Sequence, residues 1–111
     1  MNYALLAYGQ ASSEPRPIDD AIAEVLATPE VTGWARLYPA ESATTLHTDD
    51  AKTLLTDGPF IDSKEYLIGL FVVEADDLDG AIAIAQRLQD AREIGGAMEV
   101  RPIVEGEFRG P

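Results

Sequence analysis

The 111-residue chain contains no cysteine, so disulfides, thiolate zinc sites and thiol catalysis are excluded. It has a single histidine, His47, which excludes any centre built on several imidazoles. Positive charge is scarce: 8 Lys and Arg stand against 20 Asp and Glu, for a formal net charge of −12. A surface that acidic repels nucleic-acid phosphates and anionic lipid headgroups, so neither is expected as a partner. Long hydrophobic runs are missing too. The longest, Leu67 to Val73, has the length of a strand and falls far short of a membrane span. The N-terminus lacks the basic and apolar regions of a secretion signal, and a cytoplasmic location is the expectation. What is present is ordinary for a folded chain: 46% hydrophobic residues, enough for one core and too many for disorder. Residues 1–111 are expected to form a single domain.

Apolar patterning supplies the elements. Tyr3 to Tyr8 is a continuous apolar run closed by Gly9, and reads as a buried strand. After the proline-bearing loop Ala11 to Pro17, Ile18, Ile22, Val25 and Leu26 fall on one helical stripe, which Pro29 ends. Val31 to Pro39 fits either a short strand or an irregular crossing segment. Ala43 to Asp57 reads as a hairpin of threonine-rich arms around Asp49-Asp50-Ala51. Asp57-Gly58-Pro59-Phe60 is a sharp break, and Asp62 and Glu65 have the spacing of a capping box around one helical turn. Tyr66 to Val73 is a second apolar strand, in which Gly69 marks a bulge or a close backbone approach. Asp76 or Asp77 caps a second helix with Leu78, Ala81, Ile82, Ala85 and Leu88 on one face, widened by Ile84, and Arg87 in its last turn. Gly95-Gly96 makes a turn. Met98 to Val104 is a final strand, placed by Pro102 at an edge or a bulge. The tail from Gly106 is expected to fray.

This order matches a ferredoxin-like α+β layout, an antiparallel sheet with two helices on one face. Half-covered antiparallel strands should alternate apolar and polar residues, yet YALLAY and YLIGLFVV do not. Two short helices cover only one face. A second copy stacked sheet to sheet is the economical cover for the other, so a homodimer is expected.

The segments Thr56-Asp57-Gly58-Pro59-Phe60 and Asp62-Ser63-Lys64-Glu65-Tyr66-Leu67-Ile68-Gly69 resemble the signature of the YCII-related family, in its DGPF-domain branch. Tyr3 to Gly9, Asp77 to Ala81 and Met98 to Ile103 fit the same pattern, so the resemblance covers nearly the whole chain. It implies a ferredoxin-like fold of the dimeric α/β-barrel type. It also implies acid–base chemistry by a His–Asp pair on small cyclic or aromatic compounds. Asp57 matches the family aspartate, but the first helix, where the family histidine lies, contains none between Ile18 and Ala27. By association, the resemblance also brings in an extracytoplasmic-function sigma factor as a partner.

Asp57 is therefore the candidate catalytic base. An Asp-Gly pair ordinarily makes a turn to the amide two residues on, but that residue is Pro59, which has no N–H. The carboxylate must bond Phe60 or Ile61 amides, a side chain or something external. It is either a turn cap or a ligand-facing acid or base. His47 lies on the same hairpin. With a three-residue turn it would sit about 13 Å along the strands from Asp57. With a two-residue turn at Asp50-Ala51 the two would point to opposite faces. Tyr8, Phe60, Lys64, Tyr66 and Arg101 are the candidate substrate-binding residues: Lys64 or Arg101 as the cation, Tyr8 or Tyr66 as an acid, and the aromatics as pocket walls. No nucleotide-binding glycine motif, serine nucleophile elbow or calcium loop occurs, so neither cofactor nor metal is expected. Two functions fit: a cofactor-independent isomerase or lyase using Asp57 as base, or a non-catalytic module binding a small ligand or a protein.

Overall fold

The computed structural model describes residues 1–10, 17–61, 64–92 and 95–108. Six strands and two helices follow one another as β1 (Asn2–Gly9), α1 (Asp20–Leu26), β2 (Val31–Arg36), β3 (Thr44–Asp49), β4 (Lys52–Asp57), β5 (Tyr66–Glu74), α2 (Leu78–Ala91) and β6 (Met98–Pro102). One turn of 3-10 helix, Ala40–Ser42, precedes β3. Four strands form an antiparallel sheet in the order β2-β5-β1-β6, while β3 and β4 form a separate two-stranded ribbon. With that ribbon set aside, the chain runs β-α-β-β-α-β.

Alternation along β1 decides which face holds the core. Tyr3, Leu5 and Ala7 are buried, and Ala4, Leu6 and Tyr8 between them are half-buried. The buried set joins Val73 of β5, Val25 of α1, and Ala81, Ile84, Ala85 and Leu88 of α2 in one cluster, so both helices pack on this face. Leu5, Val73 and Leu88 are its largest fully buried side chains. The opposite face carries Ala4 and Leu6, Leu70 and Val72, and Gly33 and Ala35, all half-buried. Neither α1 nor α2 packs on it.

Several local expectations hold. Asp77 caps α2, its side chain accepting from the Gly80 N–H at 2.9 Å. Pro102 lies on β6, an edge strand, where its missing N–H breaks no ladder bond. At Gly69 the β1–β5 register slips by one residue, because Ala7 faces Gly69 while Tyr8 faces Leu67. A β-carbon on Gly69 would also lie 3.2 Å from the Ala35 carbonyl oxygen. The segment after Val31 resolves as the strand β2.

Other expectations are corrected. Helix α1 starts at Asp20, so Ile18 precedes it. On α2, Ala81, Ile84, Ala85 and Leu88 lie inward as expected, but Leu78 and Ile82 are about half exposed. A helix buried against one sheet needs only the narrower stripe. Helix α2 also runs to Ala91, which leaves Arg87 outside its last turn and Arg92 at the C-cap. The last strand ends at Pro102. The capping box at Asp62 lies outside the described residues, as does the end of the tail beyond Phe108.

Candidate functional site

The β3–β4 hairpin turns on two residues. Asp49 pairs with Lys52, and both Asp50 (φ 46°) and Ala51 (φ 67°) are left-handed. That is the turn geometry whose twist suits a two-residue hairpin. It settles the relation between Asp57 and His47. Thr44 pairs with Asp57, Leu46 with Leu55 and Thr48 with Thr53, and the last two join hydroxyls at 2.8 Å. These six share one side of the ribbon. His47 pairs with Leu54 on the other side, where its ring meets that of Phe60 at a centroid distance of 5.3 Å. Asp57 and His47 therefore point apart, and no His–Asp pair forms within the protomer.

The turn after β4 is held through Gly58 by the Ala43 backbone and the Thr45 side chain rather than by Asp57. The Gly58 N–H donates to the Ala43 carbonyl (2.7 Å), and the Thr45 hydroxyl donates to the Gly58 carbonyl (2.8 Å). Gly58 itself has φ 97°, which only glycine adopts at low cost. The Asp57 carboxylate is exposed and makes no side-chain hydrogen bond among the described residues. It lies beside Leu46 and Leu55, themselves 67% and 68% exposed.

The other candidates fall in two places. Phe60 and Lys64 stay with the hairpin and its exit, both exposed. Tyr8 and Arg101 belong to the helix-free face of the main sheet. The Tyr8 hydroxyl donates to Glu99 Oε1 at 3.4 Å, and Arg101, exposed, stands opposite Ala4. Tyr66 opens β5 opposite Gly9 and is half-buried. The hairpin leaves the sheet between Arg36, opposite Gly69, and Tyr66, opposite Gly9. Arg101 lies toward the other end of the sheet, on the far edge strand. A single protomer thus divides the candidates between an arm and a sheet face.

Sequence reasoning passed over Arg92. Its Nη2 donates to the Tyr8 carbonyl (3.0 Å) and its Nη1 to Gln89 Oε1 (2.6 Å), while Gln89 Nε2 donates to the Gly96 carbonyl (2.9 Å). The Tyr8 N–H in turn donates to the Ala97 carbonyl (2.8 Å). The clamp fixes the end of β1 from the helix side, and with it the backbone that carries Tyr8 to the other face. Burial lowers the guanidinium's pKa, and the negative charge of Glu65 opposes that shift. An arginine directly after a helix and just before Gly95-Gly96 was the available signal. No trio of His, Asp or Glu side chains gathers as a metal site among the described residues. No described helix is long and apolar enough to cross a membrane.

A four-stranded antiparallel sheet with two helices on one face, and an Asp-Gly-Pro-Phe turn closing an inserted hairpin, defines a small mixed α+β protein. The chain belongs to the YCII-related family, whose domain model matches residues 1–107. An uncharacterized protein of Rhizobium meliloti (strain 1021) is 39% identical over 69 residues, 62% of this chain. That match covers 56% of the relative, so the chain spans little more than half the length of the curated protein it matches.

Proposed function

We propose that this chain is a cytoplasmic, homodimeric protein of the ferredoxin-like, dimeric α/β-barrel type, in the DGPF branch of its family. It binds a small organic compound and moves a proton on it, as an isomerase or lyase without metal or redox cofactor. Asp57 is the base. The observation that carries this reading is the placement of Asp57: an exposed carboxylate on an ordered strand, flanked by two exposed leucines and not spent on its own turn. A carboxylate among apolar groups becomes a stronger base once a ligand or a second chain displaces water from it. The half-covered apolar sheet face supports the dimer, since a second sheet stacked on it would complete its burial.

The competing reading, a non-catalytic module that binds a ligand or a protein such as a sigma factor, draws on His47 facing the other side of the ribbon from Asp57. One experiment separates the two. The protein is incubated in deuterium oxide with a panel of small cyclic ketones, lactones and aromatic acids, and proton NMR follows exchange at carbon next to carbonyl. Exchange should occur with at least one compound and be lost in Asp57→Asn, while melting stays close to wild type because the side chain is exposed. Wild-type exchange rates in Asp57→Asn, or binding with no exchange at all, would replace the enzyme with the binding module.

A further inference from the structure

Register divides the helix-free face of the main sheet into two rows. Trp34, Phe71, Leu5 and Val100 stand opposite one another across β2, β5, β1 and β6. The neighbouring row on one side is Ala35, Leu70, Leu6 and Glu99, and on the other Gly33, Val72, Ala4 and Arg101. Both rows belong to the helix-free face, because side chains alternate along a strand and Leu5, Phe71 and Val100 pack with the core. Strand by strand the two rows are complementary. On β2, β5 and β1 the first row carries the larger apolar residue and the second the smaller. On β6 the first carries a carboxylate and the second a guanidinium. Arg101 is exposed and makes no ion pair among the described residues, although Glu99 is two positions away on the same strand.

We propose that two copies of this chain stack with their two-fold axis along the row from Trp34 to Val100, so that Glu99 of each chain meets Arg101 of the other beside Tyr8. The inference rests on the homodimer proposed above and adds which residues face each other in it. A two-fold axis lying across the strands sets each strand over its own copy, running the other way, and brings one row onto the other. Leu6 then lies over Ala4, Leu70 over Val72 and Ala35 over Gly33, large on small as close packing requires. Glu99 lies over Arg101 twice in the dimer, across a gap of about 10 Å that the two long side chains span together. A two-fold axis parallel to the strands is the other way to stack two such sheets. It would set Glu99 over Ala35 and Arg101 over Gly33, leaving both charges against small apolar neighbours without a partner, at a cost in desolvation. The arrangement across the strands also reaches the candidate site. Within one protomer Arg101 lies about 13 Å along the strands from Tyr8, whose hydroxyl donates to Glu99. The second chain's Arg101 arrives at that same Glu99, and so brings a cation to the phenol that one chain holds apart from it.

Charge reversal tests this without touching the core, since both positions are exposed on an edge strand. Glu99→Arg and Arg101→Glu each set like charges opposite one another twice per dimer. Each should raise the dimer dissociation constant at least tenfold in sedimentation equilibrium, although the first makes the chain less negative and the second more so. Mixing the two variants, differently tagged, should restore near-wild-type affinity in dimers that carry both tags. The double variant Glu99→Arg/Arg101→Glu should recover it within a single chain. A wild-type dimer whose affinity ignores the single reversals, follows net charge alone, or is regained in neither the mixture nor the double variant overturns this register and leaves the sheet-to-sheet dimer standing. A wild-type protein that sediments as a monomer at tens of micromolar overturns both.

Discussion

At the scale of single residues, Arg92 is the most consequential side chain in the described structure that the apolar pattern does not reveal. It ties the C-cap of α2 to the end of β1 through the Tyr8 carbonyl and holds Gln89 in place to reach Gly96. Arg92→Ala removes a charged donor and leaves a part-buried carbonyl without it, which should cost about 1–3 kcal/mol in urea denaturation. Arg92→Lys should recover only part of that loss, because a lysine lacks the planar fork that reaches two acceptors at once. The sign of the pKa shift can be followed through. Burial lowers the folded-state value, with Glu65 opposing, so protonation is harder in the folded protein than in the unfolded one. The guanidinium stays charged in both states at ordinary pH, so this cost is constant from about pH 5 to 9 and adds no slope to stability there. A pH dependence of the wild-type protein that vanished in Arg92→Ala would contradict this account. Asp57 shows a different limit at the same scale. Its residue type and the proline two positions later made it a candidate in the sequence, and Pro59 does deny it the usual turn partner. Which side of the ribbon it occupies was not legible, because that follows from one residue more or fewer in the turn.

At the scale of elements, the hairpin turn places two non-glycine residues in the left-handed region, Asp50 at φ 46° and Ala51 at φ 67°. Aspartate tolerates that conformation, but alanine bears the full steric cost of its β-carbon against the carbonyl. Ala51→Gly should therefore stabilise the ribbon by about 1 kcal/mol, visible as slower amide hydrogen exchange in β3 and β4. Unchanged or faster exchange would mean that the turn is not a main constraint on the arm. The elements themselves were largely written in local pattern. Apolar runs located β1 and β5, the Asp77 cap and the helical stripe located α2, and the proline in β6 placed that strand at an edge. The misplacements share one cause. Spacing alone puts Leu78 and Ile82 on the same helical face as Ala81, Ile84, Ala85 and Leu88, but the sheet meets the Ile84 side of that face and leaves Leu78 and Ile82 at its open margin.

At the scale of the whole molecule, charge and apolar surface pull against each other. Each chain carries a formal charge of −12, so two copies repel as they approach, while the half-covered sheet face favours association. Salt shortens the range of that repulsion from about 30 Å at 0.01 M to about 8 Å at 0.15 M and leaves the apolar contribution in place. The proposed dimer should therefore tighten several-fold between those two salt concentrations, as read by sedimentation equilibrium. Loosening with salt would point instead to an interface dominated by opposite charges.

The linear order of residues determined the absence of any disulfide, most of the succession of strands and helices, the caps and breaks between them, and the family to which the chain belongs. These are local properties, set by side-chain periodicity and by what proline, glycine and aspartate permit in the backbone next to them. Tertiary structure decided which face of each strand meets the helices, that His47 and Asp57 turn away from each other, and that Arg92 reaches the end of β1. Each of those depends on register, and a one-residue shift in a β ladder moves every side chain to the opposite face while leaving the local pattern the same.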